Sequence, residues 1–247
     1  GSLITSFGNQ LAPVFTANYS PSGTRIATAA YDGSVSQWTA GGQPIRKFEA
    51  EQAALCDAEY VGSTRLIIAS DNGTTSLWSK SGIPKNDYSS DGTTRAVSVA
   101  PNGLLLASAS DTGRVHLFNQ EGDHLKSFNT GSARINSLRF SSNSKEILIS
   151  TYNGYAKVFN LDGKKQLAIK ATADGITNQA TYRPGSNQIA TAGADGQVRL
   201  WNDQGDLLQT IAMPGSTTGI GAESIAFNPD GSELYVAMTD LSLWTVS

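Results

Sequence analysis

The sequence is short of the residue types from which most reactive sites are built. One cysteine, Cys56, in 247 residues excludes an intramolecular disulfide and any multi-thiolate metal site, and reads as a small core residue. Only two histidines, His116 and His124, are present, and no paired-histidine metal motif, calcium loop, phosphate-cradling glycine loop or Gly-x-Ser-x-Gly elbow occurs. No catalytic, cofactor-binding or metal-binding residue is therefore assigned, and no cofactor is expected. Charge is sparse: 18 Lys and Arg against 21 Asp and Glu leave a formal net charge of -3, and Lys164-Lys165 is the densest basic pair. Without a basic block to follow a phosphate backbone, nucleic acid is not an expected partner. No apolar run approaches the ~18 residues of a membrane helix, and no charged-then-apolar leader precedes the repeats. Membrane insertion is not expected, and the chain reads as soluble and cytoplasmic.

What the sequence has instead is a period. The stretch from Ile189 to Trp201 reads as a β-hairpin, two apolar runs flanking Asp195-Gly196, a pair that accepts the positive φ of a tight turn. The same aromatic ending recurs at Trp38, Trp78, Phe118, Phe159, Trp201 and Trp244, at spacings of 40, 40, 41, 42 and 43 residues. Six residues before the first five stand Asp32, Asn72, Thr112, Asn153 and Asp195, each followed by glycine; the sixth copy has Met238 there and no glycine before Leu241. Each unit opens with an alternating strand, such as Phe15, Ala17 and Tyr19, and continues through a Pro/Gly turn into a near-continuous run of apolar and small residues, such as Ile26 to Ala30. A run of that kind suits a strand covered on both faces.

Four strands per unit at a period near 40 indicate a radial array of small sheets, since one such sheet cannot bury both its faces alone. The expected fold is all-β, a six-bladed β-propeller of four-stranded antiparallel blades, forming one domain over residues 1–247. The last unit lacks its outer strand, and residues 3–7 have the character of that strand, so the N-terminal strand is expected to complete the last blade and close the ring.

On these residues the chain resembles the WD-repeat β-propellers over essentially its whole length. Those proteins typically place a Gly-His pair before the first strand, whose imidazole joins a buried network with a Ser/Thr, the turn Asp and the Trp. No Gly-His pair occurs here, so Thr28, Asp32 and Trp38, or Thr191, Asp195 and Trp201, keep at most part of that network. His116 lies at a position filled elsewhere by Ser36, Ser76, Lys157, Arg199 and Ser242, all polar, and is expected to face solvent; His124 begins an outer strand. The repeated aromatics are expected to pack between blades rather than to stack on ligands. Asp32 and Asp195, which could be imagined as an acid/base pair, occupy equivalent turns, and an Asx turn explains both.

The resemblance implies a non-catalytic scaffold for protein–protein interaction. The partner, a protein or peptide, is expected to dock on the face formed by the blade-entering and Asp/Asn-Gly loops. That face is read as acidic, with Glu49, Glu51, Asp71, Asp91, Asp111, Asp174 and Glu223, and so suited to a basic segment. Tyr31 and Tyr152 are the expected aromatic anchors, with Arg95 and Arg134 as counter-charges; the candidate partner-binding set is Tyr31, Asp71, Arg95, Asp111, Arg134 and Tyr152. Two alternatives stay open: a propeller hydrolase, which would need convergent carboxylates with a nucleophile or metal, and a glycan-binding module using exposed aromatics.

Overall fold

The computed structural model describes residues 12–132, 134–173, 175–216 and 219–247. It divides the chain into two compact units, residues 1–99, 103–111 and 115–126 in the first and residues 100–102, 112–114 and 127–247 in the second. The first unit contains a sheet of β1 (Val14–Tyr19), β2 (Arg25–Ala30), β3 (Ser34–Thr39) and β4 (Pro44–Glu49), and a second of β5 (Leu55–Val61), β6 (Arg65–Ser70), β7 (Thr74–Ser79) and β8 (Pro84–Ser89). The third sheet runs through β9 (Thr94–Val99), β10 (Leu105–Ser110), β11 (Arg114–Asn119) and β12 (His124–Asn129). In the second unit the fourth sheet is β13 (Ile135–Phe140), β14 (Glu146–Thr151), β15 (Tyr155–Asn160) and β16 (Lys165–Lys170). The fifth is β17 (Thr177–Tyr182), β18 (Ile189–Gly193), β19 (Gln197–Trp201) and β20 (Leu207–Ala212), and the last is β21 (Ala222–Phe227), β22 (Leu234–Met238) and β23 (Leu243–Val246). Six antiparallel meanders, five four-stranded and one three-stranded among the described residues, make this an all-β, six-bladed β-propeller. Residues 3–7, the strand expected to complete the last blade, lie outside the described residues.

The second strand of each sheet is the one read from sequence as doubly covered, and β2, β6, β10, β14 and β18 are buried over almost their whole length. Small residues let the sheets close on one another. Within the first unit Ala27, Ala29 and Val35 pack against Ala58, Tyr60, Leu66 and Ile68 of the next sheet. Within the second, Ala190, Ala192 and Val198 pack against Ile225, Leu234 and Val236. Each fully buried Val, Leu or Ile side chain adds about 1.5–3 kcal/mol to this stacking.

The hairpin registers confirm five copies of the repeat and correct the sixth. Trp38, Trp78, Phe118, Phe159 and Trp201 pair with Ile26, Leu66, Leu106, Ile147 and Ile189, each hairpin centred on its Asp, Asn or Thr. In the last sheet Leu234 pairs with Val246, which centres the turn on Asp240. The packing position therefore falls on Val246. Trp244 pairs with Val236 and is 41% exposed, its indole N–H donating to Ser242 Oγ at 2.9 Å. The turn itself is intact: Asp240 Oδ1 accepts from Ser242 N at 2.9 Å, and Leu241 takes the glycine's role at φ 68°.

Side chains also tie the first strands of neighbouring sheets together. In the first unit Asn18 Nδ2 donates to Ala58 O at 2.8 Å, Asp57 Oδ2 accepts from Val97 N at 3.2 Å, and Glu59 Oε2 accepts from Val99 N at 3.1 Å. In the second, Asn136 and Asn178 donate to Thr177 O and Ala222 O at 3.1 and 2.9 Å, and Gln179 Oε1 accepts from Ile225 N at 2.6 Å. Hydrogen bonds to charged groups contribute about 1.5–3 kcal/mol and neutral ones about 0.5–1.5. These links supply directional cohesion where the usual histidine network is absent.

Candidate functional site

In each unit, the turns between second and third strands lie against the segments that leave the sheet, so both sets of loops share one end of the strands. Glycine makes this approach possible. At Gly73, with φ +89°, a Cβ would stand 2.7 Å from Gly92 O, and the carbonyl of Gly73 accepts from Ser90 N at 2.8 Å. At Gly154, with φ +83°, a Cβ would meet Gly175 O at 2.6 Å and Thr172 O at 2.8 Å, while Gly154 O accepts from Ala171 N and Thr172 N. The residue before each glycine stabilises the turn: Asn72 Oδ1 accepts from Thr74 N at 2.9 Å, and Asp32 Oδ1 accepts from Ser34 N at 3.1 Å and Ser34 Oγ at 2.5 Å. The Ser34 hydroxyl, helped by Lys47 at 3.1 Å, holds the Asp32 carboxyl below its ordinary range. Asp195 accepts from Gln197 N at 3.1 Å and pairs with Arg199 at 2.7 Å. Of the missing network, the Trp–Thr half survives: the indoles of Trp38 and Trp201 donate to Thr28 Oγ1 and Thr191 Oγ1 at 3.2 and 3.0 Å.

The candidate partner-binding residues fall into two groups. In the first unit Tyr31 is 61% exposed, with its ring 6.2 Å from that of Phe15. Asp71 and Asp111 sit in turns linked by one residue, since Thr93 Oγ1 donates to Asp71 O at 3.1 Å and Thr93 O accepts from Asp111 N at 2.9 Å. Asp71 and Asp91 are exposed, and Asp111 is half-buried. Arg95 is only partly exposed; it occupies the bulge of β9 and lies beside the Cys56 thiol rather than on the loop surface. Burial pushes that thiol up to about 11 against the opposing pull of Arg95. In the second unit Arg134 stacks on Tyr152, its guanidinium carbon 5.3 Å from the ring centroid, and its carbonyl accepts from Tyr152 N at 3.0 Å. Tyr152 remains 49% exposed.

The sign of charge differs from the sequence reading in the second unit. Lys170 and Lys157 stand 4.9 and 5.5 Å from the Tyr155 ring centroid, Lys157 Nζ donates to Ser132 Oγ at 2.8 Å, and Lys170 Nζ donates to Asn153 O at 3.0 Å. Burial, with Lys165 nearby, lowers the pKa of Lys157. These cations gather around the turn bearing Tyr152, so the carboxylate-rich loops are those of the first unit. Asp174 lies outside the described residues; Glu223 is exposed and accepts from Asn178 Nδ2 at 3.3 Å.

The expected exposure of His116 is also corrected. It is 2% exposed, 5.0 Å from the ring of Tyr88, and the equivalent Ser36 and Ser76 are buried too. His116 is covered by the outer strand of the neighbouring sheet, where Tyr88 also stacks on His124 at 4.6 Å. Among the described residues no three His, Cys, Asp or Glu side chains cluster as metal ligands, and no helix is long and apolar enough to cross a membrane.

Comparison with known proteins agrees with this geometry. Residues 1–39 and 163–202 match the family model described as WD domain, G-beta repeat. Over 123 residues the chain is 23% identical to THO complex subunit 3 of Arabidopsis thaliana, covering 47% of this chain and 38% of that protein. It thus spans well under two thirds of that relative's length.

Proposed function

We propose that this chain, whose matched repeats resemble the WD-repeat family, is a non-catalytic platform on which a protein or peptide partner docks at the Asp/Asn-Gly loop edge. The observation that carries this reading is the loop surface of the first unit. Asp71 and Asp111 are braced through Thr93, Asp91 is exposed nearby in sequence, and Tyr31 offers a large exposed aromatic. Rigid backbone bonding keeps these groups in place before a partner arrives, which limits the ordering cost of binding. A basic segment is the complementary partner, with the carboxylates speeding association and the tyrosine as anchor. In the second unit, the Arg134–Tyr152 pair is a separate contact. The relative in Arabidopsis is by its name a subunit of a complex, which favours protein partners. Asp32 and Asp195 are engaged by their own turns and by Lys47 and Arg199, which supports a role without chemistry.

The test begins with affinity capture from native extract and identification of the bound protein. Its affinity is then measured for Tyr31→Ala, Tyr152→Ala and the pair Asp71→Lys with Asp111→Lys, at low and high salt. Tyr31→Ala should weaken binding at least tenfold, and the charge reversal should slow association at low salt and matter less at high salt. Unchanged affinity in all of these folded variants rejects the loop edge as the docking surface.

A further inference from the structure

In the second unit a cleft of about 480 Å³ opens between the fourth and fifth sheets, at the end of the strands opposite the Asp/Asn-Gly turns. Its apolar lining comes from Val158, Leu167 and Ile189. Around that surface stand polar groups whose bonding is incomplete among the described residues. Asn143 and Asn160 each spend their Oδ1 on their own turns, accepting from Lys145 N at 2.9 Å and from Asp162 N and Lys164 N at 3.0 and 2.9 Å. Their amide NH₂ groups have no partner among the described residues, and each offers two donors. The carboxylates of Glu146 and Asp203 bring acceptors to the same cleft, and the Tyr182 hydroxyl is buried in its wall without a partner. Burial, then Glu146, pushes that phenol's pKa up, so it stays a neutral donor.

The chemistry of this lining selects its ligand. Two carboxylates against the single Lys145 disfavour an anion. The uncharged amide donors and apolar floor offer little to a bare cation, which would need converging oxygen ligands. A neutral polyhydroxylated ring meets every part: its hydroxyls accept from amides and donate to carboxylates at once, and its C–H face lies on the apolar floor. We propose that this cleft binds a neutral saccharide. The site shares no residue with the docking loops and does not depend on that reading.

The test uses the full chain with free glucose, galactose, mannose, fucose and N-acetylglucosamine, followed by saturation-transfer NMR and titration calorimetry. The variant combines Asn187→Ala with Asp203→Ala, two exposed residues of the cleft whose loss leaves the core intact; its melting curve is recorded beside that of the parent chain. At least one sugar should bind saturably, and its affinity should fall at least tenfold in the variant while the melting curve is unchanged. Absence of saturable binding by all five sugars overturns the proposal, and so does binding of equal strength in the variant.

Discussion

Gly154→Ala is the sharpest perturbation of the loop edge, because its effect separates into two parts with an internal control. Gly185 has nearly the same backbone requirement, φ +71°, but a Cβ there would meet nothing within 4 Å. Gly185→Ala should therefore cost only the left-handed conformation, about 1–2 kcal/mol. Gly154→Ala carries that cost and adds Cβ approaches of 2.6 Å to Gly175 O and 2.8 Å to Thr172 O, both backbone atoms. Relief requires the 171–175 segment to move, which gives up the bonds from Ala171 N and Thr172 N to Gly154 O at 2.9 and 3.2 Å. At about 0.5–1.5 kcal/mol each, the total becomes about 2–5 kcal/mol. At about 2–4 °C per kcal/mol for a chain of this size, melting should fall by roughly 4–20 °C, against roughly 2–8 °C for Gly185→Ala. The amide of Tyr152, bonded to Arg134 O, should also exchange faster. Equal melting temperatures for the two variants would refute the idea that glycine is required here by the approach of the outgoing segment.

Trp201→Ala should destabilise by about 3–5 kcal/mol through a cavity, since Trp201 is 7% exposed in the core between the fourth and fifth sheets, whereas Trp244→Ala should cost under about 1 kcal/mol; chemical denaturation compares them directly. Leu241→Gly removes a left-handed non-glycine residue whose side chain is 95% exposed, and should raise stability by up to about 1 kcal/mol once glycine's added unfolded-state entropy is subtracted; a loss would show that the Leu241 side chain stabilises the turn. For Cys56 the folded pKa is raised above the ordinary thiol value, so the neutral thiol favours the folded state at low pH. That contribution is lost as pH rises from about 9 through about 11. Iodoacetamide labelling of the folded chain should accordingly reach half its maximal rate near pH 11, and a half-point near pH 9 would contradict the burial of the thiol.

The five clean repeats were legible because an aromatic, a turn residue and a glycine all recur at one offset, and each is demanded by a different contact. The sixth was misregistered because its turn uses Leu241 instead of glycine and its packing position holds Val246, leaving Trp244 as a decoy. His116 was misplaced because a polar residue two positions before the aromatic suggests solvent, although the adjoining outer strand covers it. The links between first strands are hard to read from the period because Asn18, Asp57, Glu59 and Gln179 do similar work with different residue types, and only Asn136 and Asn178 repeat one type at one position. In the candidate site, Tyr31, Asp71 and Tyr152 were found as exposed loop residues from their place beside the turns. The pairing of Arg134 with Tyr152, the inward position of Arg95 and the gathering of Lys157 and Lys170 around Tyr155 depend on strand bulges and cross-strand pairing that a period does not encode.

The docking claim is tested most directly by amide hydrogen exchange of the chain with and without its captured partner. The partner should protect residues 50–54, Asp71 to Gly73, residues 91–93 and Asp111, the loop edge of the first unit. Protection confined to the opposite turns, residues 21–24, 62–64 and 80–82, would contradict it.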